Sequence, residues 1–231
     1  MRLTFILLLF GVNSFAVGLV PKQCIHQLAY RHFPPTEATY QEVISQIKLD
    51  RRSLLKNKVS IDSCKAYFLD AFEYDVFPHW VGTTWDYNGY TNVPGEGKLV
   101  ACGYFVSTPL KHMGFNWNRF KLAQMYSKKI AETLCADVTK YTNQGEMISE
   151  INKRDNNLYI IGLDSHVGMI LKSDSGTWFV HSNYYGNKGP DKEIAMLSQA
   201  LDDSGTYYLG TFTTSENISK WLNGTLIPTT D

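Results

Sequence analysis

His166-Val167-Gly168-Met169-Ile170-Leu171-Lys172 and Thr177-Trp178-Phe179-Val180-His181-Ser182, joined by Ser173-Asp174-Ser175-Gly176, are the residues whose reading decides this fold. Both arms are rich in β-branched and aromatic residues, and the linker is made of turn formers, so the stretch predicts an antiparallel hairpin. Side chains alternate between the two faces of a strand, so the length of the linker decides which residues share a face. A four-residue linker is even, and an even loop sets His181 opposite His166 or opposite Gly168. Either register brings both imidazoles to one face of the sheet. Gly168 would leave room on that face where a side chain would crowd it.

Working outward from the hairpin, Leu158 to Leu163 and Tyr207 to Thr213 also read as strands. Lys192 to Leu201 and Glu216 to Leu222 read as helices. Upstream of Gly145 the pattern is helical: Thr36 to Lys56, Ser63 to Tyr74, Cys102 to His112 and Arg119 to Cys135. Pro34-Pro35 precede the first of these, and Pro109 is expected to shorten or kink the third. Between His79 and Gly97, five glycines and prolines punctuate aromatic residues, which predicts an ordered loop. Helices first and an antiparallel sheet second make an α+β fold.

The chain has 231 residues, of which 44% are hydrophobic and 13% aromatic, enough for one sizeable core and unlike a disordered chain. Lys+Arg and Asp+Glu are both 22, so no global charge draws the chain to nucleic acid or an anionic membrane. Met1 to Ala16 has the form of a secretory signal, with Arg2, the apolar run Phe5 to Phe10 and the small-x-small site Ser14-Phe15-Ala16. The run is too short to span a bilayer, so no membrane insertion is expected. The remainder, residues 17–231, is expected to be one domain with a helical N-terminal extension over about 17–60, in a secreted or periplasmic protein. In that oxidising setting Cys24 and Cys64 are the expected disulfide pair, and Cys135, at the end of a helical run, a buried thiol.

Cys102 follows a glycine-rich loop and opens a predicted helix. A thiol there faces unpaired N–H groups and the positive end of the helix dipole, which should lower its pKa and favour the attacking thiolate. A helix-start Cys beside two histidines on one sheet face has the makings of nucleophile, base and orienter. His166 is the expected base and His181 the expected orienter of its tautomer. Asn183 is the rival orienter, since one register sets it opposite His166. Asp164 is a weaker one because it points to the other face. Zinc held by Cys102, His166 and His181 lacks the ligand spacing of known sites, so neither metal nor cofactor is expected. His26, His32, His79 and His112 show no evident partner in the sequence.

The helix-start Cys, then H-V-G-M-I, then F-V-H-S resemble the NlpC-type branch of the papain-like cysteine peptidases over about Gly82 to Thr213. The resemblance implies a papain-like core with the catalytic Cys at a helix N-terminus. It also implies the order Cys, His and a polar third residue on consecutive strands, and cleavage of an amide bond in peptidoglycan stem peptides. That family usually carries D-C-S-G at its nucleophile. Here the residues are Ala101-Cys102-Gly103-Tyr104, and the position of papain's oxyanion Gln is Glu96, an ionised carboxylate that cannot donate.

In the loop Gly82 to Gly89, Trp85, Asp86 and Tyr87 are the candidate substrate wall, with the Tyr87 hydroxyl a candidate oxyanion donor. An Asx turn, in which Asp86 or Asn88 bonds its own backbone, is the alternative expectation for these residues. The expected partner is a peptide or peptidoglycan fragment. Two alternatives stand beside hydrolysis: acyl transfer to an amine, and a catalytically silent secreted binding module. Asn217-Ile218-Ser219 and Asn223-Gly224-Thr225 match glycosylation sequons, which matter only in a eukaryotic secretory route.

Overall fold

A computed structural model describes residues 38–230. The signal segment, Cys24, His26, His32 and Pro34-Pro35 lie outside the described residues. Helix α1 (Tyr40–Lys56) starts at Thr39, whose Oγ1 accepts from the Glu42 N–H while the Glu42 carboxylate accepts from the Thr39 N–H. This reciprocal pair satisfies two donors that a helix start leaves unpaired. Tyr40, Val43, Ile44, Ile47 and Leu54 recur at helical spacing and are buried in the main core. Helix α2 (Ile61–Asp70) passes into a π-helical turn (Ala71–Val76) and then α3 (Phe77–Trp80).

Strands β1 (Thr84–Trp85) and β2 (Leu99–Val100) form a small parallel pair around the aromatic loop. Helix α4 (Cys102–His112) has the predicted bounds. It continues through Pro109, because Thr108, Pro109 and Leu110 are all buried and packing holds the turn that the ring would otherwise break. The single helix predicted over Arg119 to Cys135 is two, α5 (Arg119–Ala123) and α6 (Ser127–Leu134). At the break the Ala123 carbonyl lies against Gly103 so closely that a Cβ on residue 103 would collide with it.

Strand β3 (Val138–Tyr141) and helix α7 (Gln144–Asn152) come next, and neither was read from the sequence. The strands that follow are β4 (Asn157–Gly162), β5 (Val167–Ser173), β6 (Gly176–Asn183) and β7 (Gly189–Ile194). After α8 (Gln199–Asp202) come β8 (Tyr207–Thr211) and α9 (Ser215–Asn223). The six long strands form one antiparallel sheet in the order β3-β8-β4-β5-β6-β7. The fold is α+β.

One sheet face, with Ile160, Met169, Leu171 and Val180, packs under α1, α2, α4, α6 and α9. The other, with Tyr159, Ile161, Ile170, Phe179 and Leu209, packs against α7 and α8. The helix predicted over Lys192 to Leu201 is the correction with most consequence. Its first residues are paired strand, Glu193 opposite Phe179 and Lys192 opposite Val180, with a 3-10 turn (Ala195–Leu197) and α8 beyond. Ladder pairing to β6 outweighs the local helical pattern of this polar run.

Cys64, expected to pair with Cys24, is a free thiol, fully buried, with its Sγ 3.7 Å from the Val59 carbonyl. Cys135 is free and buried as predicted, and burial pushes its thiol up to about 12. No helix among the described residues is long and apolar enough to cross a membrane.

Candidate active site

The hairpin turn is two residues, Asp174-Ser175, because Ser173 and Gly176 already pair. Two is also even, so the predicted sharing of a face holds with a shorter loop. The ladder pairs Met169 with Val180, and one step further it sets Gly168 beside His181. A Cβ at residue 168 would lie 2.5 Å from the Phe179 ring and 2.9 Å from the His181 Cβ. Glycine is therefore what lets the ring of Phe179 and that of His181, stacked 4.1 Å apart between centroids, lie across β5.

His166 immediately precedes β5 and is 4% exposed, and His181 is fully buried. His166 Nε2 lies 2.8 Å from His181 Nδ1, and His181 Nε2 lies 3.1 Å from Glu193 Oε1. Glu193 was missed in the sequence because its segment read as helix. As a strand residue diagonal to His181, it ends a chain of three hydrogen-bonded groups. Burial pushes the Glu193 carboxyl up, but hydrogen bonds from His181 and Ser198 outweigh it and leave the group below its usual range.

An ionised carboxylate can only accept. A neutral His181 therefore carries its proton on Nε2 and accepts at Nδ1 from the His166 Nε2–H. That leaves His166 Nδ1 as the bare, basic nitrogen. Burial, and then the neighbouring His181, hold the His166 imidazole well below its usual value, so the ring is neutral at pH 7.

Cys102 is half-buried at the start of α4, where Ala101 caps with extended backbone and no side-chain bond. The first N–H groups of the helix thus have no capping oxygen. Burial pushes the thiol up, against the lowering effect of the backbone N–H groups of Val167, Gly103 and Cys102. The predicted low pKa is corrected: desolvation outweighs the helix start, and the resting group is a thiol. The Val167 amide facing the sulfur brings Cys102 to the root of β5, next to His166. Both line one open cleft of about 900 Å³, although no hydrogen bond joins them among the described residues.

Trp85 and Tyr87 line the same cleft, as do Tyr104, Tyr126 and Tyr184. The Tyr184 ring lies edge-on to His166 at 5.1 Å. The Trp85 indole N–H is buried with no hydrogen-bond partner among the described residues. Tyr87 is 81% exposed at the rim. Asp86 is not part of the wall: its Oδ1 accepts from the Asn88 N–H at 2.8 Å, an Asx turn.

Asn183 is not an orienter either, since its Oδ1 accepts from the Tyr185 N–H and its Nδ2 donates to Asp191. Asp164 lines the cleft, but its Oδ2 accepts from the Gly205 N–H. His112, without an evident partner in the sequence, lies 2.9 Å from the Tyr40 hydroxyl and 3.3 Å from Asn92 Oδ1. Of the sequon asparagines, Asn217 is buried with its amide donating to Leu134 and Phe212 carbonyls, and Asn223 is exposed.

Among the described residues no cluster of three or more His, Cys, Asp or Glu is arranged to hold a metal ion. Compared with known proteins, the chain matches no family model, no curated protein and no solved structure.

Proposed function

We propose that the chain is a secreted thiol hydrolase of papain-like, NlpC-type character that cleaves an amide bond in peptidoglycan stem peptides. The observation that carries this reading is the hydrogen-bonded series His166–His181–Glu193, which leaves a bare imidazole nitrogen on the cleft that Cys102 lines. The substrate class rests on the family resemblance, and the chemistry on these residues.

In this reading a bound acyl group displaces water from the cleft, and the Cys102 thiol gives its proton to His166 Nδ1. The sulfur bonds to the carbonyl carbon, and the oxygen gains charge that the uncapped N–H groups at the start of α4 can stabilise. The His166 imidazolium is supported through His181 by the Glu193 carboxylate. It then protonates the departing amine as the C–N bond breaks, leaving a thioester. Water attacks that thioester, losing a proton to His166, and releases the acid and the thiol.

The raised thiol and lowered imidazole make the resting pair neutral, so in this reading the thiol gives up its proton only once substrate is bound. The test is incubation of the full protein with purified muropeptides, beside a panel of plain L-peptides, with products identified by mass. The reading expects muropeptide cleavage that is lost in Cys102→Ala and in His166→Ala. Cleavage unchanged in both variants overturns it. Products gaining an amine in place of water identify acyl transfer.

A further inference from the structure

Among the described residues β7 is the last strand of its sheet and is ladder-paired on one side only, to β6. An edge strand is held by half the ladder of an inner one. Yet this edge carries Glu193, whose value to His181 depends on a 3.1 Å contact. The neighbouring residue, Lys192, points to the opposite face, as strand alternation requires.

There its ammonium lies 2.5 Å from Glu73 Oε1 and 4.6 Å from the centre of the Trp178 ring. Glu73 is 5% exposed and projects from the π-helical turn Ala71–Val76. The same carboxylate oxygen accepts from Ser175 Oγ at 3.2 Å and Ser173 Oγ at 3.4 Å, both at the β5–β6 turn. Trp178 Nε1 donates to Ser175 Oγ, which closes the cluster. One buried carboxylate thereby ties β5, β6 and β7 to the helical layer. Burying an ion pair costs more free energy than an apolar contact of the same size, so its use here points to a need for position. Single π-turns inside α-helices are frequent at functional sites.

We propose that Glu73 and Lys192 are positioning residues that hold the edge strand where Glu193 meets His181. The proposal rests on the reading of His166–His181–Glu193 as the catalytic series. Neither residue lines the cleft, so the pair acts through the backbone of one strand. The groups that face the relay are Cys102 and Tyr184 beside His166, and Ser198 and Asp191 beside Glu193. All of them stay intact in the variants below.

The test uses the full chain with ring-¹⁵N-labelled histidine, read by NMR across a pH titration, which needs no substrate. Lys192→Met alone leaves a buried carboxylate unpaired, so the decisive variant is Glu73→Gln/Lys192→Met, which removes both charges. The expected result is a folded protein in which the tautomer signals and titration of His181 and His166 move toward those of Glu193→Gln. Where cleavage is measurable, kcat should fall about 3- to 30-fold with KM within about twofold. A folded double variant with histidine signals and titration identical to wild type overturns the proposal. Should the double variant unfold, Glu73→Gln alone, which keeps the shape of the acceptor and removes the ion pair, carries the same comparison with the same overturning result. Failure of Cys102→Ala to affect cleavage would instead remove the hydrolase reading, and would leave the histidine result standing.

Discussion

Two histidine sites differ in this molecule, the buried pair His166–His181 at the root of the hairpin and the half-buried His112 beside Tyr40. Both hold imidazole below its ordinary pKa by burial. For His166 the neighbouring His181 adds to it. For His112 the charges of Arg119, Lys48 and Lys111 add, and the value falls to about 4. Their hydrogen bonds run to different ends. His112 donates from Nε2 to Asn92 Oδ1, a neutral acceptor, and its Nδ1 takes the Tyr40 hydroxyl, so neither nitrogen is left for chemistry. The His166 series ends in a carboxylate and leaves one nitrogen bare over a cleft that also holds a thiol. A perturbed pKa is common to both and so does not mark the site. What marks the candidate site is an unused basic atom, a thiol and space, backed by a charge that can stabilise imidazolium.

This comparison is breakable at several points. Cys102→Ala should abolish turnover, and His166→Ala should lower kcat/KM by roughly 10²–10⁴-fold, the scale of a lost general base. His112→Gln should leave turnover within about twofold, and a large loss there would erase the distinction between the clusters. Glu193→Gln keeps the shape of the acceptor and removes its charge. It should cost about 10- to 100-fold in kcat with KM little changed, as outer partners of a reacting group do. An unchanged kcat would show that His181 needs no carboxylate.

Gly168→Ala adds a Cβ 2.5 Å from the Phe179 ring, and urea unfolding should show a loss of about 1–3 kcal/mol, the range for overpacking. Wild-type stability would mean that the ring has room to give. Thiol labelling sharpens the contrast with Cys135, whose pKa is about 12 in a closed core. Iodoacetamide should modify Cys102 first, slowly at pH 6 and faster as pH rises, because its thiol is held above the usual range. Equal rates at pH 6 and pH 9 would reveal a preformed thiolate–imidazolium pair.

The smallest effect concerns acid stability. His112 has a folded pKa of about 4, below its unfolded value near 6.5. Its neutral form is the folded one, so its contribution is complete above pH 6.5 and is lost as pH falls toward 4. His166 acts in the same direction. Urea unfolding at pH 7 and pH 4.5 should show wild type losing more stability than His112→Gln, by on the order of 1 kcal/mol after allowance for solvent screening. Equal losses would assign the acid sensitivity elsewhere.

Much of the site was legible because it depends on short-range rules. Alternation along a strand and an even linker bring His166 and His181 to one face whatever packs around them. The bounds of α4, and Cys102 at its start, follow from a loop followed by a helical pattern. Glu193 was hidden because Lys192 to Leu201 reads locally as a helix, which only a neighbouring strand can overrule. The thiol's direction of shift was misread for a related reason: the helix start is local and visible, while the burial that outweighs it comes from β5 and the cleft walls.

The amino-acid order alone therefore determined the α+β class, the hairpin and its parity, and the helix that begins at Cys102, since each needs only the geometry of one or two adjacent elements. Tertiary structure alone decided that Val167 faces the sulfur, that an edge strand brings Glu193 to His181, and that Lys192 finds Glu73 across 119 residues of chain. Those contacts depend on desolvation and on pairing between distant segments, which no local pattern encodes.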